Sequence, residues 1–418
     1  MTAQSEKSAN SSSSKTKKRI LLLEGIHPGA KSRLETNGFH ADLEPASIGG
    51  EELIKRAKGY NAIGIRSKTQ LTAEIIRALP DVEVIGAFCI GTDQVHLASA
   101  NEAGVPVFNA PYSNTRSVAE LVLAEMVALS RRLADRTMQM HKGVWQKSAA
   151  GANEVRGKTL GIVGYGHIGS QVSVLAEAFG MQVIFYDIVK KLPMGNARGC
   201  ESLGELLKRS DFVTLHVPDT DLTNKMMKAR EISLMKKGSY LINASRGNVV
   251  EIPDLAAALK SKQLAGAAID VFPKEPASNN EKFTTEIQEL DNVIMTPHIG
   301  GSTEEAQEAI GQEVAESFTR YFYAGATTGS VNFPRLDVAD PRDYPRLLNI
   351  HRNVPGVLSA TNSIVTEFGG NIVAQHLATD SQIGYLIMDL GLPKPNDMAE
   401  VVKKITALKT SIRTRAVS

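Results

Sequence analysis

The chain has 418 residues, 42% hydrophobic and 22% charged, a balance that excludes a wholly disordered chain and a small disulfide scaffold. Lys and Arg total 47 against 45 Asp and Glu, a formal net charge of +2, which gives no basic footprint for nucleic acid. The two cysteines, Cys89 and Cys200, have no second Cys or His at metal-ligand spacing, so no metal and a reducing compartment, the cytoplasm, are expected.

At about 150 residues per domain the length implies two or three domains. No apolar run reaches the ~18 residues needed to cross a bilayer. Residues 1–18, with Ser11 to Ser14 and then Lys15, Lys17 and Lys18, have nothing to bury and are expected to be disordered. The tail has neither a secretory core nor the Arg-rich pattern of a transit peptide.

Order begins with the apolar run Arg19-Ile-Leu-Leu-Leu-Glu24, read as a buried strand. Tyr60–Ile65, Val82–Ala87 and Val105–Phe108 read as further strands, with a helix over Thr72–Leu79. This alternation implies a parallel sheet. Ser117–His141 reads as one long helix, capped by Ser113 or Asn114.

A second alternating series runs from Arg156 to about Thr296, and helical residues 303–323 follow. Thr327–Tyr344 is rich in Pro, Asp and Arg without periodicity and reads as a linker. The last segment, 345–418, alternates strand, helix, strand, strand, helix, strand, the ferredoxin-like βαββαβ order.

Chemistry concentrates at strand ends. Thr159-Leu-Gly-Ile-Val-Gly164-Tyr-Gly166-His-Ile-Gly169 is G-x-G-x-x-G between an apolar strand and helical residues 169–179. Gly164 permits the tight turn, Gly166 lets backbone approach a pyrophosphate, and Gly169 packs helix on strand; the phosphates meet the helix N-terminus. His167 and Ile168 lie inside the motif. The next strand ends in Asp187, about 20 residues on, where an acid accepts the ribose hydroxyls and repels a 2′-phosphate; NAD is favoured over NADP.

Three downstream strands end in polar residues: Tyr240–Asn243 before Arg246, Ala267–Asp270 before Glu275 between two prolines, and Asn292–Thr296 before His298. In open α/β sheets ligands bind at such ends. Hydride transfer needs a group titrating near neutrality for the hydroxyl proton, which His298 supplies. It needs a carboxylate to orient that His, Glu275, and a cation to hold a substrate carboxylate bidentately, Arg246.

These residues resemble the D-isomer-specific 2-hydroxyacid dehydrogenase family, whose catalytic Arg, Glu and His match Arg246, Glu275 and His298. The likeness spans about 19–418. It implies an α/β fold of two Rossmann-like doubly wound domains plus a ferredoxin-like ACT regulatory domain. The NAD domain, 114–304, would interrupt a substrate domain of 19–113 and 305–330; 331–344 would be linker and 345–418 the ACT domain. By resemblance His216, Ala244, Ser245, Arg246, Asp270, His298, Gly300 and Gly301 also touch the cofactor.

Phe88–Val95, Asn109–Glu120 and the ACT-like segment narrow the likeness to members acting on D-3-phosphoglycerate, the first step of L-serine synthesis. Arg66, Ser67, Lys68, Asn109, Ser113, Asn114 and Lys147 are the expected substrate-binding residues. The family more often carries Arg at the Lys68 position and an acid at His96. His351, Asn353 and Asn371 resemble the two halves of an L-serine effector site. A homo-oligomer, tetramer favoured, is implied through Rossmann-domain and ACT-domain contacts. Trp145, the single Trp, is suited either to a subunit contact or to intrachain packing. Reduction of 2-oxoglutarate is an implied side activity. A different D-2-hydroxyacid, or a dinucleotide-sensing corepressor role, is the alternative reading.

Overall fold

The computed structural model describes residues 17–276, 281–341, 343–394 and 396–417, so nearly all of the polar tail lies outside the described residues. The chain forms two units. One runs up to Pro111 and resumes at Ile310; the other is Tyr112–Ala309.

In the first unit, β1 (Arg19–Leu22), β2 (His40–Leu43), β3 (Ala62–Ile65), β4 (Val84–Ala87) and β5 (Val107–Asn109) form a sheet of order β2-β1-β3-β4-β5. All its pairings are parallel. The side-chain alternation of β1 explains its unbroken apolar run. Ile20 and Leu22 join one core with Ala30, Leu34, Val314 and Phe318. Leu21 and Leu23 join another with Leu53, Ile75 and Ile76. A strand covered on both faces needs apolar residues at every position.

The second unit holds β6 (Thr159–Val163), β7 (Gln182–Tyr186), β8 (Arg198–Gly199), β9 (Phe212–Leu215), β10 (Ser239–Asn243), β11 (Leu264–Ile269) and β12 (Val293–Met295). Their order is β12-β11-β10-β9-β6-β7-β8, all parallel. The winding reverses at β6, between β7 and β9, which is where such sheets bind ligands.

The stretch expected as one helix over 117–141 is two, Thr115–Arg131 and Leu133–His141, parted at Arg132 with φ +53°. No Gly or Pro marks the break, and a left-handed non-glycine residue costs about 1–2 kcal/mol. Tertiary contacts hold it. Arg132 pairs with Asp135 at 2.8 Å, Asp135 accepts the Asn292 N–H at 3.2 Å, and the Ser130 carbonyl accepts the Asn153 N–H at 2.8 Å. Asn114 occupies the N-cap position, but its side chain makes no capping hydrogen bond.

The first unit also contains β13 (Arg346–Arg352), β14 (Asn371–Thr379), β15 (Ile383–Gly391) and β16 (Ser411–Val417), with helices Val357–Glu367 and Asp397–Thr406. The sheet is antiparallel, ordered β14-β15-β13-β16, the ferredoxin-like arrangement. Leu347, Leu386 and Met388 pack under the helices with Val365 and Val401. Phe333, Leu336 and Val338, from the stretch read as linker, cover the opposite face against Leu348, Ile350 and Tyr385. Arg346 binds Asp389 through two bonds of 2.7 and 2.9 Å and also donates to the Ala324 and Ala339 carbonyls. Among the described residues, no helix is long and apolar enough to cross a membrane.

Candidate active site

The glycine turn shows why each glycine is needed. Gly164 has φ +90°, and a Cβ there would lie 2.2 Å from the His216 carbonyl oxygen. A Cβ on Gly169 would lie 2.2 Å from the Gly164 carbonyl oxygen, so helix His167–Ala178 seats against the turn only without one. Gly166 differs: a Cβ there meets nothing within 4 Å. The space at the helix N-cap is open, and the first-turn N–H groups have no intrahelical partner. Ile168 packs on the apolar core, and the His167 ring lies 4.1 Å from that of Tyr112.

Asp187 follows β7. Its Oδ2 accepts the Tyr165 N–H and its Oδ1 the Val189 N–H, both at 2.9 Å. It therefore braces the glycine turn, and each oxygen keeps a lone pair for a ribose hydroxyl. His216 follows β9. Its Nε2 contacts Thr214 Oγ1 at 3.0 Å, and its Nδ1 is buried without a partner. Packing around the ring pushes its pKa down to about 3, although part of the residue stays exposed. An orphaned neutral imidazole nitrogen, an open helix N-terminus and a braced acid together fit a dinucleotide.

After β10, buried Asn243 builds the turn that carries Arg246. Its Oδ1 accepts from the Ser245 N–H and hydroxyl at 3.1 and 2.8 Å, and its Nδ2 donates to the Arg246 carbonyl at 3.0 Å. Ala244 and Ser245 are buried within that turn. Glu275 Oε2 lies 2.9 Å from His298 Nδ1, and Glu275 Oε1 accepts the Phe272 N–H at 3.1 Å. The Glu275 hydrogen bond lifts the His298 pKa above its ordinary value, against burial and against the charge of Arg246. Burial pushes Glu275 up, but the hydrogen bond and charge of His298 outweigh it and leave Glu275 below the usual carboxylate value. Arg246 acts electrostatically on both, so the three expected residues form one cluster.

His298 has φ +54°, and Asp270 holds it there. The Asp270 carbonyl accepts the His298 N–H at 2.8 Å. Its Oδ1 accepts from Thr296 Oγ1 at 2.6 Å and the Ile299 N–H at 2.8 Å, and its Oδ2 the Gly300 N–H at 2.8 Å. Asp270 thus clamps the turn through Gly300. A Cβ on Gly301 would lie 2.3 Å from Asn114 Nδ2.

Residues 123–300 match the family model for the D-isomer specific 2-hydroxyacid dehydrogenase NAD binding domain. The D-3-phosphoglycerate dehydrogenase of Dictyostelium discoideum is 51% identical over 401 residues, covering 96% of this chain and 97% of that protein. The Escherichia coli protein of the same name is 50% identical over 403 residues, covering 96% and 98%. The chain belongs to the D-isomer specific 2-hydroxyacid dehydrogenase family. Among solved structures, the Aquifex aeolicus D-lactate dehydrogenase complexed with NAD and lactic acid superposes with a TM-score of 0.66 at 29% identity, covering 75% of this chain and 99% of that one. The chain is an NAD-dependent oxidoreductase.

For this dehydrogenase the expected anion-binding residues fall in both units. In the first, the Arg66–Thr69 loop folds around an acid the sequence reading missed. Glu24 Oε1 accepts the Arg66 and Thr69 N–H groups at 3.1 and 2.8 Å, and its Oε2 the Lys68 N–H at 3.0 Å. Gln94 Nε2 donates to the Arg66 carbonyl at 2.7 Å. The side chains of Arg66 and Lys68 make no hydrogen bond or ion pair with other described residues. Ser67 is exposed beside them, and Asn109 Nδ2 donates to the Ile90 carbonyl at 2.5 Å. Ser113, Asn114 and exposed Lys147 belong to the second unit, and Asn114 Oδ1 is buried without a partner.

The expected effector residues do not come together within one chain. His351 pairs with Gly384 at one end of the sheet, whereas Asn371 pairs with Gly391 at the other. Seven residues of strand separate them, about 23 Å. His351 is buried, with Nδ1 2.9 Å from the Arg352 carbonyl and Nε2 unpartnered. Asn353 Nδ2 donates to the Asp380 carbonyl at 2.7 Å. Trp145 is 79% exposed, so intrachain packing does not account for it.

Proposed function

We propose that the chain oxidises D-3-phosphoglycerate to 3-phosphohydroxypyruvate, the reaction named for the relatives from Dictyostelium discoideum and Escherichia coli. The observation that carries this reading is the cluster of Arg246, Glu275 and His298, each at the carboxyl end of its strand. Arg246 holds the substrate carboxylate through its planar fork and polarises the adjacent oxygen. With Nδ1 engaged by Glu275, His298 Nε2 is left to take the hydroxyl proton. Glu275 stabilises the imidazolium that results. NAD, when bound, would accept the hydride from the carbon that bears that hydroxyl. Gly164, Gly166 and Gly169 with the helix N-terminus would hold its phosphates, and Asp187 its adenosine ribose. Arg66 and Lys68 would hold the substrate's phosphate.

A nicotinamide-reduction assay tests this. Turnover is expected with D-3-phosphoglycerate, at least tenfold less with unphosphorylated D-glycerate, and a loss of about 10²–10⁴ in His298→Asn. Equal efficiency on D-glycerate would move the assignment to another D-2-hydroxyacid. Arg66→Ala should raise KM for the phosphorylated substrate only.

L-serine is the proposed effector. Because His351 and Asn371 lie at opposite ends of one sheet, a complete site needs the β14 edges of two copies. Helix Leu133–His141, which buries none of its residues, and exposed Trp145 offer a second self-association surface, giving the proposed tetramer. A chain with only two cysteines suits the reducing cytoplasm. Activity unmoved by millimolar serine would refute the effector role.

A further inference from the structure

Helix Thr115–Arg131 carries one acid where only apolar residues are expected. Glu125 is 3% exposed, and neither carboxyl oxygen has a hydrogen-bond partner. Its neighbours on that helix, Val118, Val122, Met126 and Leu129, belong to a core with Val172, Ala176, Ile242 and Ala268. The face of the helix carrying Glu125 is also the face that meets the His298 turn. A Cβ on Gly300 would lie 2.9 Å from Asp270 Oδ2, 3.4 Å from Val118 and 3.8 Å from Leu121. Glu125 is one helical turn beyond Leu121 and two beyond Val118.

We propose that Glu125 sets an alkaline limit on the dehydrogenase reaction: its carboxyl, buried without a hydrogen-bond partner on the helix face that meets the His298 turn, is compatible with the Asp270 clamp only while it carries no charge. The inference rests on the assignment of His298 as the acid–base group. Asp270 is the one charged group acting on Glu125 among the described residues. Helix His167–Ala178 and strands β10, β11 and β12 face this part of the core with apolar side chains and two phenols, Tyr165, bound to Ser173 at 3.0 Å, and Tyr240. Burial, reinforced by the Asp270 charge, pushes the Glu125 pKa up to about 8. Two carboxylates cannot both ionise cheaply in so dry a pocket. Below that pH Glu125 is uncharged, and Asp270 accepts the three donors that fix Thr296, Ile299 and Gly300. Above it, a second negative charge enters beside Asp270 and strains the clamp.

The test is the pH profile of kcat for hydroxy-acid oxidation in the full-length enzyme. Wild type is expected to fall several-fold above about pH 8. Glu125→Gln and Glu125→Met, both neutral at every pH, should keep their plateau there and stay within about threefold of wild type at pH 7. Profiles of both variants that superimpose on wild type, or a wild-type profile without an alkaline fall, overturn the proposal. Infrared difference spectra give a readout free of turnover: a protonated-carboxyl band present at pH 6.5 and missing from Glu125→Gln is expected, and its absence from wild type also overturns it. Failure of the His298 assignment shows elsewhere, as an acidic limb that Glu275→Gln does not move.

Discussion

The two parallel sheets are wound alike around their first strands, yet the turns that follow those strands are used in opposite ways. After β6 the chain leaves its amides open: Gly166 has empty space where a side chain would point. After β1 the chain supplies its own anion. Glu24, at φ +61° and 9% exposed, takes up three N–H groups of the Arg66–Thr69 loop. One unit therefore offers backbone donors to a ligand. The other has satisfied its backbone internally and offers the side chains of Arg66 and Lys68. On the reading proposed above, the cofactor's phosphates are held by the backbone and the substrate's phosphate by side chains.

Filling the open turn is the severest way to break that contrast. The Cβ of Gly166→Val would meet nothing within 4 Å, so the fold should survive, with Tm within a few degrees of wild type. Its side chain would occupy the space a pyrophosphate needs. Calorimetry should show NAD affinity lost by at least about 100-fold; native affinity would show that the phosphates lie elsewhere. In the other unit, Glu24→Gln keeps the shape but turns an N–H donor toward amides that need an acceptor. Hydrogen bonds to charged groups contribute about 1.5–3 kcal/mol each, so KM for the phosphorylated substrate should rise about 10- to 100-fold. KM for NAD should hold steady, and parallel rises in both constants would mean a general loss of fold.

A shift along the pH axis separates the acid–base pair from both phosphate sites. His298 is raised by Glu275, so it stays protonated to higher pH than an ordinary His. Oxidation needs the neutral imidazole, and kcat/KM should climb with pH through that raised value. Glu275→Gln removes the charge, lowers the His298 pKa and moves the climb to lower pH. The plateau should fall about 10- to 100-fold, because the imidazolium loses its partner. A climb unmoved by the substitution would show that another group titrates.

The sequence made the glycine turn, Asp187 and the Arg246, Glu275 and His298 cluster legible for one physical reason. Each is a polar residue just past an apolar run, and in a doubly wound sheet strand ends converge on a ligand site. Glu24 has the same position but closes the Arg66–Thr69 loop through three amides, and nothing in its local sequence separates the two uses. Glu125 sits at helical spacing among apolar residues and shows its nature only by burial. The break at Arg132 was invisible because its partners, Asp135 and Asn292, act through the tertiary fold. His96, where the family expects an acid, caps helix Leu97–Glu102 with Nδ1 accepting the Ser99 N–H at 3.2 Å. An acid could do the same, so the departure preserves the acceptor.

Lys68 gives the finest test of reading phosphate by side chain. Its backbone is fixed by Glu24, its side chain is exposed, and its ammonium has no partner among the described residues. Lysine meets a phosphate as a point charge, whereas arginine adds a planar two-point fork and loses less freedom per bond. Lys68→Arg should therefore lower KM for the phosphorylated substrate by about two- to fivefold with kcat unchanged, and leave D-glycerate unaffected. An equal gain on D-glycerate would place residue 68 at the carboxylate end instead. No change on either substrate, in an enzyme that Arg66→Ala does weaken, would leave Arg66 as the phosphate's sole cation on that loop. The loop would then be built around one guanidinium, with Glu24 present to aim it.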